Sequence, residues 1–218
     1  MGEKLGAAAG LFFAICIFMG NGLLVGDSST SDPAEKLLTA LSDTDQINLG
    51  VAISVLAVGF LVYFASTLRT VLARFEPAPG RLSSAAMGAC VAAAATLTAG
   101  PGLMRTVAWR IEEDSISADI AALAHGFTAT MYFTSAVFLG LAALAVAAVT
   151  IRYGALPRWF GWFSVLMGLL MIVGAVGAPL NEGLGFIAGV PLMLYFLVAS
   201  IVLIGRAGAA APAPALAE

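Results

Sequence analysis

The sequence predicts an all-α protein, a polytopic membrane helix bundle of six transmembrane helices with both termini in the cytoplasm. Two observations lead to this fold class. The 218 residues are 61% hydrophobic and 11% charged, with a mean hydropathy of +0.99, and several apolar runs reach the ~20 residues that a bilayer crossing requires. Charge this sparse does not cover a water-soluble globule of this length, so several helices must face lipid.

Six apolar runs follow one another, separated by polar or proline-containing segments. We expect the first run to remain uncleaved, because it is longer than the apolar region of a usual secretory signal and lacks a good cleavage site. The fourth run, at ~33 residues or roughly 50 Å of helix, exceeds a ~30 Å hydrocarbon core and must protrude. The predicted spans are residues 5–25, 49–70, 84–104, 117–150, 159–178 and 184–204.

Two segments outside the spans have a character of their own. Asp32, Pro33 and Glu35 mark a helix start, so we predict a short extracytoplasmic amphipathic helix at about 33–42, on the membrane surface or over the bundle. The alternative is an ordinary connecting loop with one helical turn. Residues 1–206 form one transmembrane domain, and the Ala/Pro-rich tail at 207–218 is expected to be disordered.

Positive charge sets the expected orientation. Six spans put both termini on one side, and seven of the ten Lys and Arg residues fall there, so the positive-inside rule makes that side cytoplasmic. Trp159 and Trp162 at this boundary and Trp109 at the other fit the aromatic belts of membrane proteins. The seven basic residues are Lys4, Arg69, Arg74, Arg81, Arg152, Arg158 and Arg206, and the other three are Lys36, Arg105 and Arg110.

Small residues follow one face of the third span, where Gly88, Ala92, Thr96 and Gly100 repeat every four residues. Such a stripe lets helix backbones approach closely. We therefore expect this helix to be the most protein-enclosed of the six. Pro101, between two glycines, should loosen its outer end, a break that is tolerated where the freed carbonyls meet protein or water.

The fourth helix carries a polar face. His125, Thr128, Tyr132 and Ser135 are spaced three, four and three residues apart, which puts them on one side of the helix. We interpret this face as the lining of a ligand-binding cavity that opens to the outer side. The alternative needs no ligand: Thr and Ser bond their own backbone, and Tyr, His and the charges lie at the interface. Further candidates near the same boundary are Asn21, Arg105, Asp119 and Glu182.

Missing residues exclude or disfavour several function classes. One histidine cannot build a multi-His zinc site or supply both ligands of a b-type haem, so we expect neither metal nor cofactor. Lys4 and Lys36 lie outside the spans, which excludes a retinal Schiff base. The middle of each span lacks a clear ionisable residue, which disfavours ion-coupled transport. Nucleotide-binding and Gly-x-Ser-x-Gly signatures do not occur, and nucleic acid is not an expected partner.

The turn after the fourth helix resembles that of a known family. The long fourth helix, which contains His125, is followed by RYGALPRWFGW, residues 152–162. This pattern resembles a domain-of-unknown-function family of small bacterial multi-pass inner-membrane proteins with a Leu-Pro-Arg-Trp-x-Gly turn, although Phe160 stands where Leu is usual. The resemblance covers mainly residues 118–175. It implies the same topology and a bacterial inner membrane, and it supplies no catalytic residues.

Three functional hypotheses remain. The first is a non-enzymatic membrane protein of the bacterial cytoplasmic membrane that binds a lipid or small apolar ligand, or is an accessory subunit beside a membrane-protein partner. The second is an uncoupled transporter of a neutral or apolar solute that uses helix breaks at Pro101, Pro179 and Pro191. The third is an enzyme that acts at the outer interface through His125 and Glu182.

Overall fold

The structure is a computed structural model of the chain. The described part is organised as seven α-helices. The Ala/Pro-rich tail at 207–218 lies outside the described residues. Described are residues 2–26, 28–113 and 116–206, without the side chains of Glu112, Glu113, Glu182 and Gly183. The helices are α1 (Gly2–Val25), α2 (Ala34–Leu41), α3 (Thr44–Ala73), α4 (Arg81–Glu113), α5 (Ala118–Tyr153), α6 (Arg158–Gly177) and α7 (Glu182–Arg206).

Six of these helices are long and apolar enough to cross a bilayer, and the eight-residue α2 is the exception. The mean hydropathy of their most apolar stretches runs from 1.5 in α4 to 2.5 in α7. Each reaches the ~20 residues that the hydrocarbon core requires. The predicted all-α bundle with six transmembrane helices is therefore confirmed, whereas the cytoplasmic placement of the termini stays a prediction.

The six long helices form a closed ring. Each packs against the next long helix along the chain, and α1 closes the ring by packing against α7. α5 lies furthest inside, because it touches α4, α6, α7 and, at one end, α2. Aromatic side chains join distant parts of the chain: the Phe196 ring lies 4.6 Å from the Phe13 ring and 5.3 Å from the Phe64 ring, centroid to centroid. One apolar core therefore unites the bundle.

Glycines mark the closest helix crossings. A Cβ atom added to Gly140 of α5 would lie 2.7 Å from the carbonyl oxygen of Gly168 in α6, and one added to Gly168 would lie 2.8 Å from the Gly140 oxygen. Backbones this close leave no room for a side chain on either helix. Gly10 of α1 fits in the same way against Phe64 of α3 and Ser200 of α7. Substitution at these crossings must push helices apart.

The expectation that the third span is the most enclosed is wrong. In its most apolar 18-residue stretch α4 is 33% buried, the lowest share of the six, whereas α5 reaches 56%. Gly88 is exposed with no atom near an added Cβ, while Gly100 meets Thr128 of α5. Small residues permit close approach but do not require it. Since α4 packs mainly against α3 and α5, much of its small-residue surface faces outward.

The turn between α5 and α6 follows from its backbone. Gly154 ends α5 with a φ of 68°, a left-handed conformation that glycine adopts at little cost. Pro157 caps α6, where a fixed φ suits the helix start. Between them, Ala155 and Leu156 are buried, at 0 and 2% exposure. The turn therefore fixes the meeting point of two helices and anchors it in the core.

The end of the bundle opposite the termini, called the α2 end below, has its own small core. α2 lies over this end and buries Leu37 and Leu41, each 1% exposed. Leu41 joins an apolar cluster to which Leu24 of α1, Ile47 of α3 and Met104 of α4 also belong. The short helix therefore covers the bundle, one of the two placements that its amphipathic pattern predicts.

Candidate functional site

The polar face of α5 points into the protein. His125, Thr128 and Ser135 are 4, 5 and 0% exposed, and Tyr132 is half-buried. The Ser135 hydroxyl donates a hydrogen bond to the Tyr132 carbonyl at 2.6 Å. The Thr128 hydroxyl donates to its own helix at 2.9 Å and to the Gly100 carbonyl of α4 at 3.1 Å. Backbone carbonyls therefore satisfy both hydroxyl groups, as the interpretation without a ligand predicts.

Three candidate residues meet at a small cavity between α1, α4 and α5. Asn21, Thr128 and Tyr132 line it beside Pro101 and Leu97. Because proline has no N–H, the Leu97 carbonyl one turn earlier loses its helical donor. The cavity offers about 10 Å³ to the centre of a water molecule, roughly what a single ordered water needs. It suits one water and is too small for a ligand.

None of the three prolines expected to break a helix interrupts one in the described part of the chain. Pro101 is inside α4 and Pro191 is inside α7, and both helices continue through them. Pro179 lies in the turn between α6 and α7. α4 extends to Glu113, well past residue 104, where the third span was expected to end. The small polar cavity beside Leu97 has room for a water at the carbonyl that Pro101 leaves without a donor, so α4 continues through the proline.

His125 lies beneath the segment that leads into α2. It is buried, and the Asp32 carboxylate is close enough to interact with it electrostatically. Asp32 accepts hydrogen bonds, each 2.8 Å long, from the Lys36 ammonium and the Ser29 backbone N–H. The Lys36 hydrogen bond, and then that of the Ser29 N–H, hold the pKa of Asp32 below its usual value. His125 is therefore covered at the α2 end.

A larger groove lies at the α2 end, between the first turns of α3 and the last turns of α4. Its volume is about 440 Å³, and it is open on one side. Two residue pairs with helical i, i+4 spacing face each other across it: Thr44 and Asn48 on α3, Arg105 and Trp109 on α4. Thr106 completes the lining. We call this the α3–α4 groove.

The described lining of the α3–α4 groove carries a positive charge. Arg105 is exposed and forms no ion pair with any residue in the described part of the chain. The Oγ1 atom of Thr44 is buried and has no hydrogen-bond partner among the described residues, although buried polar atoms nearly always have one. Trp109, 57% exposed, offers an aromatic surface at the same opening. The groove can therefore accept an anionic or hydrogen-bonding group beside an apolar one.

The other candidates are spread over the α2 end. Arg105 faces α3 rather than the small cavity, and Asp119 is exposed in the first turn of α5. Glu182 begins α7, and its side chain lies outside the described residues. A common cavity for His125, Arg105 and Glu182 therefore stays a prediction. Among the described residues, no three His, Cys, Asp or Glu side chains group as a metal site.

Thr44, Asn48 and Thr106 escape a reading of the sequence alone, and Trp109 stands out there only as an interfacial aromatic. A usable signal exists, because Thr44 and Asn48 are four residues apart, as are Arg105 and Trp109. Each pair lies at a helix end that the predicted topology places on the same side. What the sequence does not give is that these two faces point toward each other.

Six long apolar helices around a shared core define a polytopic α-helical membrane protein. The chain belongs to the family described as Domain of unknown function (DUF4386), whose model matches residues 7–206. The resemblance to an uncharacterised family is thereby confirmed. No curated protein matches the chain. No solved structure matches it either.

Proposed function

We propose that this is a non-enzymatic protein of the bacterial cytoplasmic membrane that binds a lipid in the α3–α4 groove. The observation that carries the proposal is the groove itself. Its volume of about 440 Å³ falls within the range of small-molecule sites, about 300–1,000 Å³. It combines a cation that is unpaired among the described residues, hydrogen-bonding side chains and an exposed tryptophan at an end of the bundle, where we expect headgroups to meet acyl chains.

We expect a shallow trough of small residues to lead from the groove toward the middle of the bundle. One turn below Asn48, the α3 surface carries the exposed Ala52, and below Arg105 the α4 surface carries the exposed Gly102 and Ala99. An added Cβ at Gly102 would meet no atom within 4 Å. Small side chains on both helices leave space along their junction, and a lipid acyl chain fits such a space.

Two observations favour binding over catalysis or transport. His125, the only histidine, is 4% exposed beneath the approach to α2, so a substrate at the outer interface does not reach it. Pro101 and Pro191 lie within continuous helices, so they do not provide the unwound segments that broken-helix carriers use. We place the α2 end outside the cell, because the opposite end carries most of the basic residues.

Native mass spectrometry of the protein purified in mild detergent tests the proposal. We expect the wild type to retain a lipid, and Trp109→Ala and Gly102→Leu to lose it. Trp159→Ala is the matched control for the tryptophan, because Trp159 is also 57% exposed but lies at the opposite end. Gly88→Leu is the control for the glycine, since Gly88 is exposed on the same helix far from the groove. An absent lipid, or equal retention by all four variants, contradicts the proposal.

A further inference from the structure

The α3–α4 groove also has features that select among lipid headgroups. Its cation, Arg105, is exposed and unpaired among the described residues, and the two carboxylates flanking Thr44 in sequence do not line the groove. Asp43 instead caps α3 by accepting a hydrogen bond from the Gln46 N–H at 3.0 Å. Asp45 is exposed elsewhere on the first turn. Among the described residues, the lining is therefore cationic and contains no acid.

We infer that the groove prefers a phospholipid headgroup of net negative charge to a zwitterionic one, with Arg105 as the principal ligand of the headgroup phosphate. This inference rests on the proposed lipid-binding function and names the class of lipid. A guanidinium presents a planar fork of N–H donors that matches two phosphate oxygens, and such charge-assisted pairs are among the strongest hydrogen bonds in proteins. Across the groove, the exposed Asn48 amide is an additional donor.

Thr44 adds a further polar group at the edge of the groove. The Oγ1 atom of Thr44 is buried and has no hydrogen-bond partner among the described residues. Thr44 lines the same groove as Arg105. A hydroxyl left without a partner away from water is costly, of the order of 1–3 kcal/mol. A bound headgroup that draws the Thr44 side chain toward the groove would satisfy this hydroxyl beside the guanidinium.

The aromatic content of the groove argues against a choline headgroup. Quaternary ammonium groups are recognised by cages of several aromatic rings. Trp109 is the single aromatic residue of the lining, and Arg105 repels a cation beside it. Trp109 is better placed to cover the glycerol backbone at the headgroup boundary, which is the usual position of interfacial tryptophans. The small-residue trough below then receives an acyl chain.

Lipid competition in nanodiscs tests the inference. The wild type is assembled with equimolar phosphatidylglycerol and phosphatidylcholine of identical acyl chains, and the lipids that stay bound after transfer to detergent are quantified by native mass spectrometry. We expect about a tenfold preference for phosphatidylglycerol, equivalent to about 1.4 kcal/mol. Arg105→Gln should abolish the preference, and Arg105→Lys should keep part of it because charge remains without the fork. Arg158→Gln, an exposed cation at the opposite end, should leave it unchanged.

The outcomes separate this inference from the proposed function. If both lipids are retained equally, or if Arg105→Gln keeps the preference, headgroup recognition is refuted while lipid binding stands. If no lipid is retained, both are refuted. A further arm adds glycerol phosphate to phosphatidylcholine nanodiscs: displacement or adduct formation by this soluble anion would show that the groove takes free phosphate compounds instead of lipid. Circular dichroism verifies that each variant is folded, as expected for substitutions at the exposed Arg105.

Discussion

The crossing of α5 and α6 provides the sharpest test of the packing. Gly168→Ala adds one methyl group at a point where the Gly140 carbonyl oxygen lies 2.8 Å from the new Cβ position. The obstacle is backbone, which cannot rotate away as a side chain can. Leu144 atoms lie 3.1 and 3.2 Å from the same position. The two helices must therefore separate, and overpacking of this kind typically costs about 1–3 kcal/mol.

Gly88→Ala is the matched control for this prediction. Both glycines lie inside helices, so both substitutions gain the same helix propensity, about 0.8–1 kcal/mol. An added Cβ at Gly88 meets no atom within 4 Å. The difference between the two variants therefore isolates the overpacking cost, because the propensity gain cancels.

Sodium dodecyl sulfate titration in mixed micelles, followed by circular dichroism, measures the free energy of unfolding of both variants. We expect Gly168→Ala to be less stable than Gly88→Ala by about 1–3 kcal/mol, and Gly88→Ala to be at least as stable as the wild type. Equal stability of the two variants would refute the close α5–α6 crossing.

Two further predictions concern the opposite end of the bundle and the topology. Burial raises the pKa of Glu76, but the N–H groups of Leu82 and Ser83 bond its carboxylate at 2.7 and 2.8 Å and bring the pKa below its usual value of 4.5. Glu76→Ala should therefore lower the free energy of unfolding by about 0.5–2 kcal/mol at neutral pH. This difference from the wild type should vanish as the pH falls through the lowered pKa. A difference that persists in acid would contradict the capping of the first turn of α4 by the Glu76 carboxylate. In a background without the native cysteines, Thr39→Cys should react with an impermeant thiol reagent in intact cells and Ala73→Cys should not; the reverse pattern inverts the topology.

The composition and the lengths of the apolar runs were enough to predict the membrane class, the number of spans and their order. The turn at 154–157 is local as well: a left-handed Gly154 and a helix-starting Pro157 are properties of the residues themselves. The extra length of α5 was also predictable, because it depends on counting apolar residues. Each of these features is decided by interactions within one stretch of chain or between that stretch and lipid.

The enclosure of the helices was not predictable in this way. Gly88 and Gly100 look equivalent in the sequence, yet one faces outward and the other contacts Thr128 of α5. The difference arises because the ring closes through α1 and α7 and leaves α5 inside. In a membrane, apolar and small residues suit lipid and protein alike, so hydrophobicity does not tell one face from the other.

For the same reason, the sequence could not show which residues form the α3–α4 groove. Arg105 was among the candidates that charge and span length suggested, and its role in binding a ligand stays a prediction. Its partners could not be inferred in this way, because Thr44 and Asn48 join Arg105 only through the relative rotation of α3 and α4. The approach of Asp32 to His125 likewise depends on how the segment before α2 folds back over α5.

Quenching of Trp109 by brominated lipid tests most directly whether the α3–α4 groove holds a phospholipid. Replacing Trp159 and Trp162 by Phe leaves Trp109 as the sole tryptophan, so its fluorescence reports on the groove alone. As brominated phosphatidylglycerol is added to bilayers, we predict that the quenching of Trp109 saturates at a low mole fraction of this lipid, because the groove concentrates it. In the Arg105→Gln variant, we predict quenching that is proportional to the mole fraction. Quenching that is proportional from the start and identical in both proteins would contradict a groove that concentrates phosphatidylglycerol through Arg105.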